Sequence, residues 1–276
     1  MAKGYLNIEV TPQRIRYILM QSSGRGYEVL KSGSVGHTLN TLVAGDLTRV
    51  IKEILVKENI APKRLFVSVC RPGTLIRQIT MPRMKKQEMD EAISSEIEKL
   101  PFFANNLYDY IYTANKTAKE KLNVILAAID QNTLNYVIED VRKLRIPFEH
   151  LEITPLNIKD VVPYKKTDNP NQMVLIVHDQ MSYLMMLNIR EYRFVYQSST
   201  GMQHLCPSGN GNIVEAVFNN FAGELQRVIK SYMAEQKLEN SPKLWLIWDS
   251  QSGSKLQEMI TEKLGMDCTS LSFDHL

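Results

Sequence analysis

The chain has few cysteines, little net charge and no long apolar run, and each lack removes a class of protein. Cys70, Cys206 and Cys268 are odd in number and far apart, which argues against a disulfide framework and against a zinc knuckle. No apolar stretch reaches the ~18–20 residues of a membrane-spanning helix. Met1 to Val10 lacks the composition of a signal peptide. Basic side chains number 33 and acidic ones 30, so the net charge of +3 is too small to mark a nucleic-acid or anionic-membrane binder. Lys31, Lys52, Lys57, Lys85 and Lys86 are scattered rather than gathered into a tract. Stacking platforms for bases are missing as well, because Trp245 and Trp248 fall on an expected buried strand. What is present is a 276-residue chain, 44% hydrophobic and 23% charged, of globular composition. Its length suits one large or two medium domains with an ample core, and a cytoplasmic location is expected.

The most informative stretch runs from Leu75 to Phe103. Leu75, Arg77, Ile79 and Met81 alternate with Ile76, Gln78 and Thr80, a period of two that predicts a strand ending at Pro82. From Lys85 the period changes, and Met89, Ala92, Ile93, Ile97 and Leu100 form one stripe of an amphipathic helix. Pro101 closes it, since the residue before a proline is pushed out of the α region.

Strands are also predicted at Leu6 to Val10, Arg14 to Gln21 and Tyr27 to Val35, the first two joined by Thr11-Pro12-Gln13. Asp46 is the expected N-cap of a helix to Asn59, and Arg64 to Cys70 a short buried strand. After the central stretch come strands at Leu107 to Ala114 and Leu122 to Ile129, a helix from Gln131 to Arg145 and a strand from Phe148 to Ile153. A short helix is expected from Pro155 to Pro163. Lys165 to Gln172 is polar, with Pro170 and two asparagines, and reads as a linker. The opening pattern then returns: strands at Met173 to Val177, Tyr183 to Ile189 and Tyr192 to Gln197, a helix from Ile213 to Gln236, and a strand from Leu244 to Trp248. A helix from Ser254 to Leu264 and a strand near Thr269 to Phe273 complete it. Strand–strand–strand–helix–strand therefore occurs twice, an internal duplication.

Met81-Pro82, the helix from Glu88 to Lys99 and Leu100-Pro101-Phe102, in that order, resemble the PilM-type proteins, actin-like cytoplasmic components of type IV pilus assembly systems. Residues 221–232, FAGELQRVIKSY, resemble a second segment of that family at Glu224, Leu225, Arg227, Ile229 and Tyr232. The resemblance implies an α/β, actin-like (ribonuclease-H-like) duplicated fold with a small α+β insertion in the first half. Residues 1–70 with 154–164 would be the first actin-like subdomain and 71–153 the insertion. Residues 165–172 would be a linker and 173–276 a second actin-like subdomain. The resemblance also implies a cytoplasmic scaffold on the inner face of the membrane, in pilus or related secretion machinery. It would bind the N-terminal peptide of a PilN-type inner-membrane protein in a groove between first subdomain and insertion, without inserting into the membrane itself. The assembly ATPase is a further expected partner, and a homodimer is left open. Met84, Leu100, Pro101, Phe102 and Phe103 are the groove candidates, because an apolar cluster leaving a helix must bury itself somewhere. Packing of the insertion on its neighbour explains any one of them equally well. Family members continue for several dozen residues past their last strand here, so either a shortened second subdomain or a longer chain with a fused transmembrane PilN-like segment is expected.

ATP with Mg²⁺ is the one cofactor to weigh. Actin-like ATPases hold phosphates in two hairpins beginning Asp-x-Gly, where glycine lets backbone N–H groups approach the phosphates and the aspartate organises Mg²⁺. Here the first reads Asn7-Ile8-Glu9-Val10, with Asn7 for the aspartate and Glu9 for the glycine. The second, Val177-His178-Asp179-Gln180, keeps Asp179 and no glycine. Ser198-Ser199-Thr200-Gly201 replaces a Gly-Gly pair, and Asp249 to Gly253 has one glycine where an adenosine loop is rich in them. No cofactor, no catalysis and no metal site are therefore expected; His178-Asp179 has no third ligand at suitable spacing. Two alternatives stand beside the scaffold reading: an active ATPase of the same fold, and a filament-forming FtsA-type protein.

Overall fold

Hydrophobic alternation builds the first sheet. In β1 (Tyr5–Val10) Leu6, Ile8 and Val10 are buried while Asn7 and Glu9 are half-exposed, as a two-sided strand requires. The computed structural model describes residues 3–23, 26–36, 43–71, 73–101, 103–104, 106–116, 121–156, 158, 162, 169–189, 191–207, 212–248 and 253–271. After β1 come β2 (Arg14–Ser23), β3 (Gly26–Gly36), α1 (Asp46–Lys57) and β4 (Arg64–Val69). Next are β5 (Thr74–Pro82), α2 (Lys86–Glu98), β6 (Tyr108–Lys116), β7 (Lys121–Asp130), α3 (Gln131–Arg142) and β8 (Phe148–Ile153). The second half holds β9 (Asn171–Val177), β10 (Ser182–Asn188), β11 (Glu191–Ser198), α4 (Met202–Leu205) and α5 (Glu215–Gln236). It ends with β12 (Lys243–Trp248), α6 (Gly253–Leu264) and β13 (Cys268–Ser270).

Two five-stranded sheets have orders β3-β2-β1-β4-β8 and β11-β10-β9-β12-β13, and a three-stranded sheet has order β5-β7-β6. In each large sheet the first three strands are antiparallel and the last two join in parallel. The duplication read from the sequence is thus present strand for strand. By contact density the chain forms two units, 1–75 with 83–112 and 126–157, and 76–82 with 113–125 and 158–276.

In the first unit α1 buries Leu47, Val50, Ile51 and Ile54 and packs against α3, which buries Tyr136, Val137 and Val141. The expected N-cap moves. Gly45 occupies that position at φ 95°, a left-handed conformation that glycine adopts without strain, and Asp46 is the first helical residue. The capping oxygens come instead from Asp140 of α3, which accepts from Gly45 N–H at 2.8 and 2.9 Å and from Thr48 N–H at 3.3 Å. β8 also differs from expectation. Its parallel register with β4, from Leu65 against Phe148 to Val69 against Ile153, puts this strand in the first sheet and not with the insertion. α2 is held by Ile93 and Ile97, both fully buried, each worth about 2 kcal/mol of transfer free energy.

In the second unit α5 lays Phe218, Phe221, Ala222, Leu225, Ile229 and Tyr232 on Met173, Leu175, Leu184, Met186 and Leu246, with Leu256 and Ile260 of α6 in the same core. On α5 Val217 and Val228 are only half-buried, and Glu224 accepts a hydrogen bond from the Tyr196 hydroxyl at 2.8 Å. β9 begins at Asn171 with Gln172 buried, so the polar segment ends two residues before the expected boundary. Most of the helix expected at Pro155 to Pro163, and Lys165 to Asp168 of the linker, lie outside the described residues.

Candidate functional site

The first hairpin reverses at Thr11–Gln13. Asn7 and Glu9 are therefore inside β1, facing Ile18 and Arg16 across the sheet, rather than at the turn. Glu9 accepts from Arg16 Nη1 at 2.5 Å, and both side chains are 17% exposed, so its charge is matched within the sheet. The turn itself is made by residues 11 to 14. There Thr11 N–H donates to the Arg14 carbonyl at 3.0 Å, Thr11 Oγ1 donates to the same carbonyl at 3.0 Å, and Arg14 N–H donates to Thr11 Oγ1 at 3.1 Å. Pro12 has no N–H. Thr11 and Arg14 bond one another within the turn and Pro12 brings no donor, features that follow from threonine and proline at these two positions.

The second hairpin spans His178 to Met181, with His178 N–H donating to the Met181 carbonyl at 2.9 Å. Asp179 is 4% exposed. The hairpin is docked on α4: Met202 N–H donates to the His178 carbonyl at 2.8 Å and Gln203 N–H to the Asp179 carbonyl at 2.9 Å. First-turn N–H groups of a helix have no intrahelical partner, and here the hairpin supplies one. Gly201 makes the approach close enough. A Cβ at this residue would lie 2.5 Å from Asp179 O, Gln180 C and Met181 N. Its φ of −129° suits any residue, so contact and not conformation demands glycine. Ser182 Oγ donates to the Thr200 carbonyl at 2.6 Å and completes the closure. Ser198 Oγ accepts from Thr200 N–H at 3.2 Å. Of the third loop, Asp249 lies outside the described residues, and Gly253 is the first residue of α6.

The groove candidates do not form one cluster. Met84 precedes α2 and Leu100 follows it, so the 13-residue helix separates them by about 20 Å along its axis. Both are half-buried, and Pro101 is exposed. Phe103 is buried at 3% exposure, its ring edge-on to Tyr108 with centroids 5.8 Å apart; it is a core residue. Phe102 lies outside the described residues.

Beyond that exit the structure brings out what the sequence reading missed. Tyr108, Tyr110 and Tyr112 share one face of β6 and bond to α2: to Ser94 Oγ at 2.7 Å, the Asp90 carbonyl at 3.3 Å and Asp90 Oδ1 at 2.8 Å. Burial and the Asp90 carboxylate push the Tyr110 and Tyr112 phenols up. The Tyr-x-Tyr-x-Tyr spacing was the available signal. Leu107 and Ile111 are 76% and 59% exposed, and β6 pairs with β7 alone among the described strands. All three cysteines are buried, and burial pushes the Cys268 thiol up to about 11. Among the described residues no group of three or more His, Cys, Asp or Glu could hold a metal ion, and no helix is long and apolar enough to cross a membrane.

No protein-family model and no curated protein matches the chain. Solved structures do. A chain of the PilM–PilN type IV pilus biogenesis complex superposes with a TM-score of 0.75 at 18% identity, over 97% of this chain and 88% of that one. A Bacteroides thetaiotaomicron protein of actin-like ATPase fold and unknown function gives 0.54 at 11% identity, covering 97% and 90%. The cytoplasmic domain of EpsL, an inner-membrane component of the type II secretion system of Vibrio cholerae, gives 0.53 at 8% identity, covering 94% and 93%. The fold is α/β and actin-like, and in fold the chain is similar to the PilM–PilN structure, in line with the resemblance read from its sequence.

Proposed function

We propose that this chain is a cytoplasmic scaffold of a type IV pilus or related secretion platform. In this reading it holds the N-terminal segment of a PilN-type membrane protein and uses no ATP. The observation that carries the reading is the similarity in fold, over nearly the whole length of both chains, to a chain of the PilM–PilN complex. The two closed hairpins support the nucleotide-free part. At the first the donors of Thr11 and Arg14 are engaged within the turn, and the second is bonded to α4, which leaves fewer backbone donors open to a triphosphate at either.

The docking place proposed for the segment is the exit of α2 with the edge strand β6. Leu100 and Pro101 lead there, Phe103 ties the exit to Tyr108, and Leu107 and Ile111 supply uncovered apolar surface. An extended peptide adding to a free sheet edge gains main-chain hydrogen bonds, with alternate side chains giving specificity. The test is calorimetric titration with a synthetic peptide of the partner's cytoplasmic N-terminus, with and without Mg-ATP. Micromolar binding indifferent to ATP, and weakened at least tenfold in L107E/I111E, is the expected result. Binding that requires ATP would overturn the nucleotide-free reading. Unaltered binding to L107E/I111E would move the site elsewhere.

A further inference from the structure

Along α1 lies an open groove of about 700 Å³, walled by Arg49, Lys52, Glu53, Val56 and Lys57 of that helix and Lys143 just past α3. Four of these six side chains are cationic. Arg49 is met by Glu53 at 2.9 Å and by Asp46 at 3.7 Å, and Lys143 by the buried Asp140 at 2.7 Å. Lys52 and Lys57 have no carboxylate partner among the described ion pairs, so the groove is left positive. Arg49, Lys52 and Val56 follow one another at three- and four-residue steps and so form a single row on the helix. Val56 is 81% exposed, an aliphatic side chain in the middle of a charged surface. The sequence reading passed over this row because the lysines are scattered along the chain; the helix gathers them.

We infer that this groove is the docking site of an acidic, amphipathic helix from a protein partner other than the segment proposed above. Recognition of an amphipathic helix needs an apolar anchor point and charges that fix register. Val56 provides the first, and Lys52 and Lys57 the second. A bilayer fits less well: an interfacial helix inserts Trp, Phe or Leu into the headgroup region, and this row offers a single valine among charged side chains. The partner helix would carry an aliphatic residue against Val56 and carboxylates one turn to either side.

The test places a photocrosslinking amino acid at Val56 of the full chain in its native cells, with the exposed Lys230 of α5 as control position. The crosslinked peptide is identified by mass spectrometry, synthesised and titrated against the wild-type protein, K52A/K57A and K52E/K57E. The expected result is an acidic peptide from another protein that becomes helical on binding. Its affinity should fall at least tenfold in K52E/K57E, less in K52A/K57A, and fall as salt rises from 50 to 300 mM. Adducts to this chain's own peptides would mean a second copy occupies the groove. Adducts to lipid would mean a membrane, and to the membrane protein's N-terminal segment a single shared partner; each overturns the inference. So does labelling no greater than at Lys230, or equal binding to the double charge reversal. L107E/I111E should leave this interaction unchanged, which separates its failure from failure of the pilus reading.

Discussion

Between β1 and β2 the turn is closed by its own threonine; between β9 and β10 the turn is closed by a helix that follows two strands later. Strand order is the same in both sheets, so topology does not dictate how a hairpin's backbone is satisfied. Burial separates them further. β1 alternates buried and half-exposed residues, whereas β9 is buried on both faces from Gln172 to Val177. A self-contained turn on a half-open sheet can be altered locally. A turn that shares its hydrogen bonds with α4 and rests on Gly201 transmits any change into the core beneath it, where Met202 and Leu205 join the cluster under α5.

Gly201→Ala is the largest break in that comparison. The added methyl meets three backbone atoms of the hairpin, none of which can swing aside as a side-chain tip would. Overpacking costs ~1–3 kcal/mol, and loss of the two bonds from Met202 and Gln203 adds about 1 kcal/mol each. A destabilisation of roughly 3–5 kcal/mol in urea unfolding is expected, with a lowered midpoint and an unchanged slope. A loss below about 0.5 kcal/mol would mean that hairpin and helix are not tightly docked.

Asp140 gives the first unit one long-range clamp of its own, and pH reads it. Burial raises its pKa, but hydrogen bonds from Lys143, Gly45 and Thr48 outweigh burial and leave it below the usual carboxylate range. A carboxylate depressed in the folded state stabilises above its unfolded value of about 4 and loses that contribution as pH falls through the folded value. Asp140→Asn should therefore cost about 2 kcal/mol at pH 7, the scale of charge-assisted hydrogen bonds. The gap between wild type and variant should stay constant from pH 8 to 5 and close below pH 4. A gap independent of pH down to 2 would show that the charge is not what holds α1.

Local patterns made most elements legible. Alternation located the strands, the three-four spacing located α2, α3 and α5, and Pro12 marked the first turn. What stayed hidden depends on residues far apart in the chain. Asp140 caps a helix 92 to 95 positions earlier, and glycine in a left-handed conformation at residue 45 leaves no trace in a hydrophobic pattern. β8 reads as the last strand of an insertion until its register with β4 is known. Phe103 shows the limit for the site: an apolar residue leaving a helix looks the same in sequence whether it awaits a partner or fills a core. Asn7 and Glu9 lie within β1, and the turn that follows at Thr11–Gln13 is the part that Pro12 makes plain in the sequence.

Thr11→Val is the smallest and the sharpest test of the contrast between hairpins. Valine keeps the shape of threonine and removes the hydroxyl that donates to the Arg14 carbonyl and accepts from Arg14 N–H. The Thr11 N–H bond to the same carbonyl remains, so the turn should persist and the cost should be about 1 kcal/mol, well under that of Gly201→Ala. Hydrogen exchange should quicken at Arg14 and stay unchanged across Ser182 to Asn188. A loss equal to that of Gly201→Ala, or faster exchange spreading into the second sheet, would mean that the first hairpin is not self-contained. Pro12 still withholds an N–H in the variant, so no thermal shift with millimolar Mg-ATP is expected either.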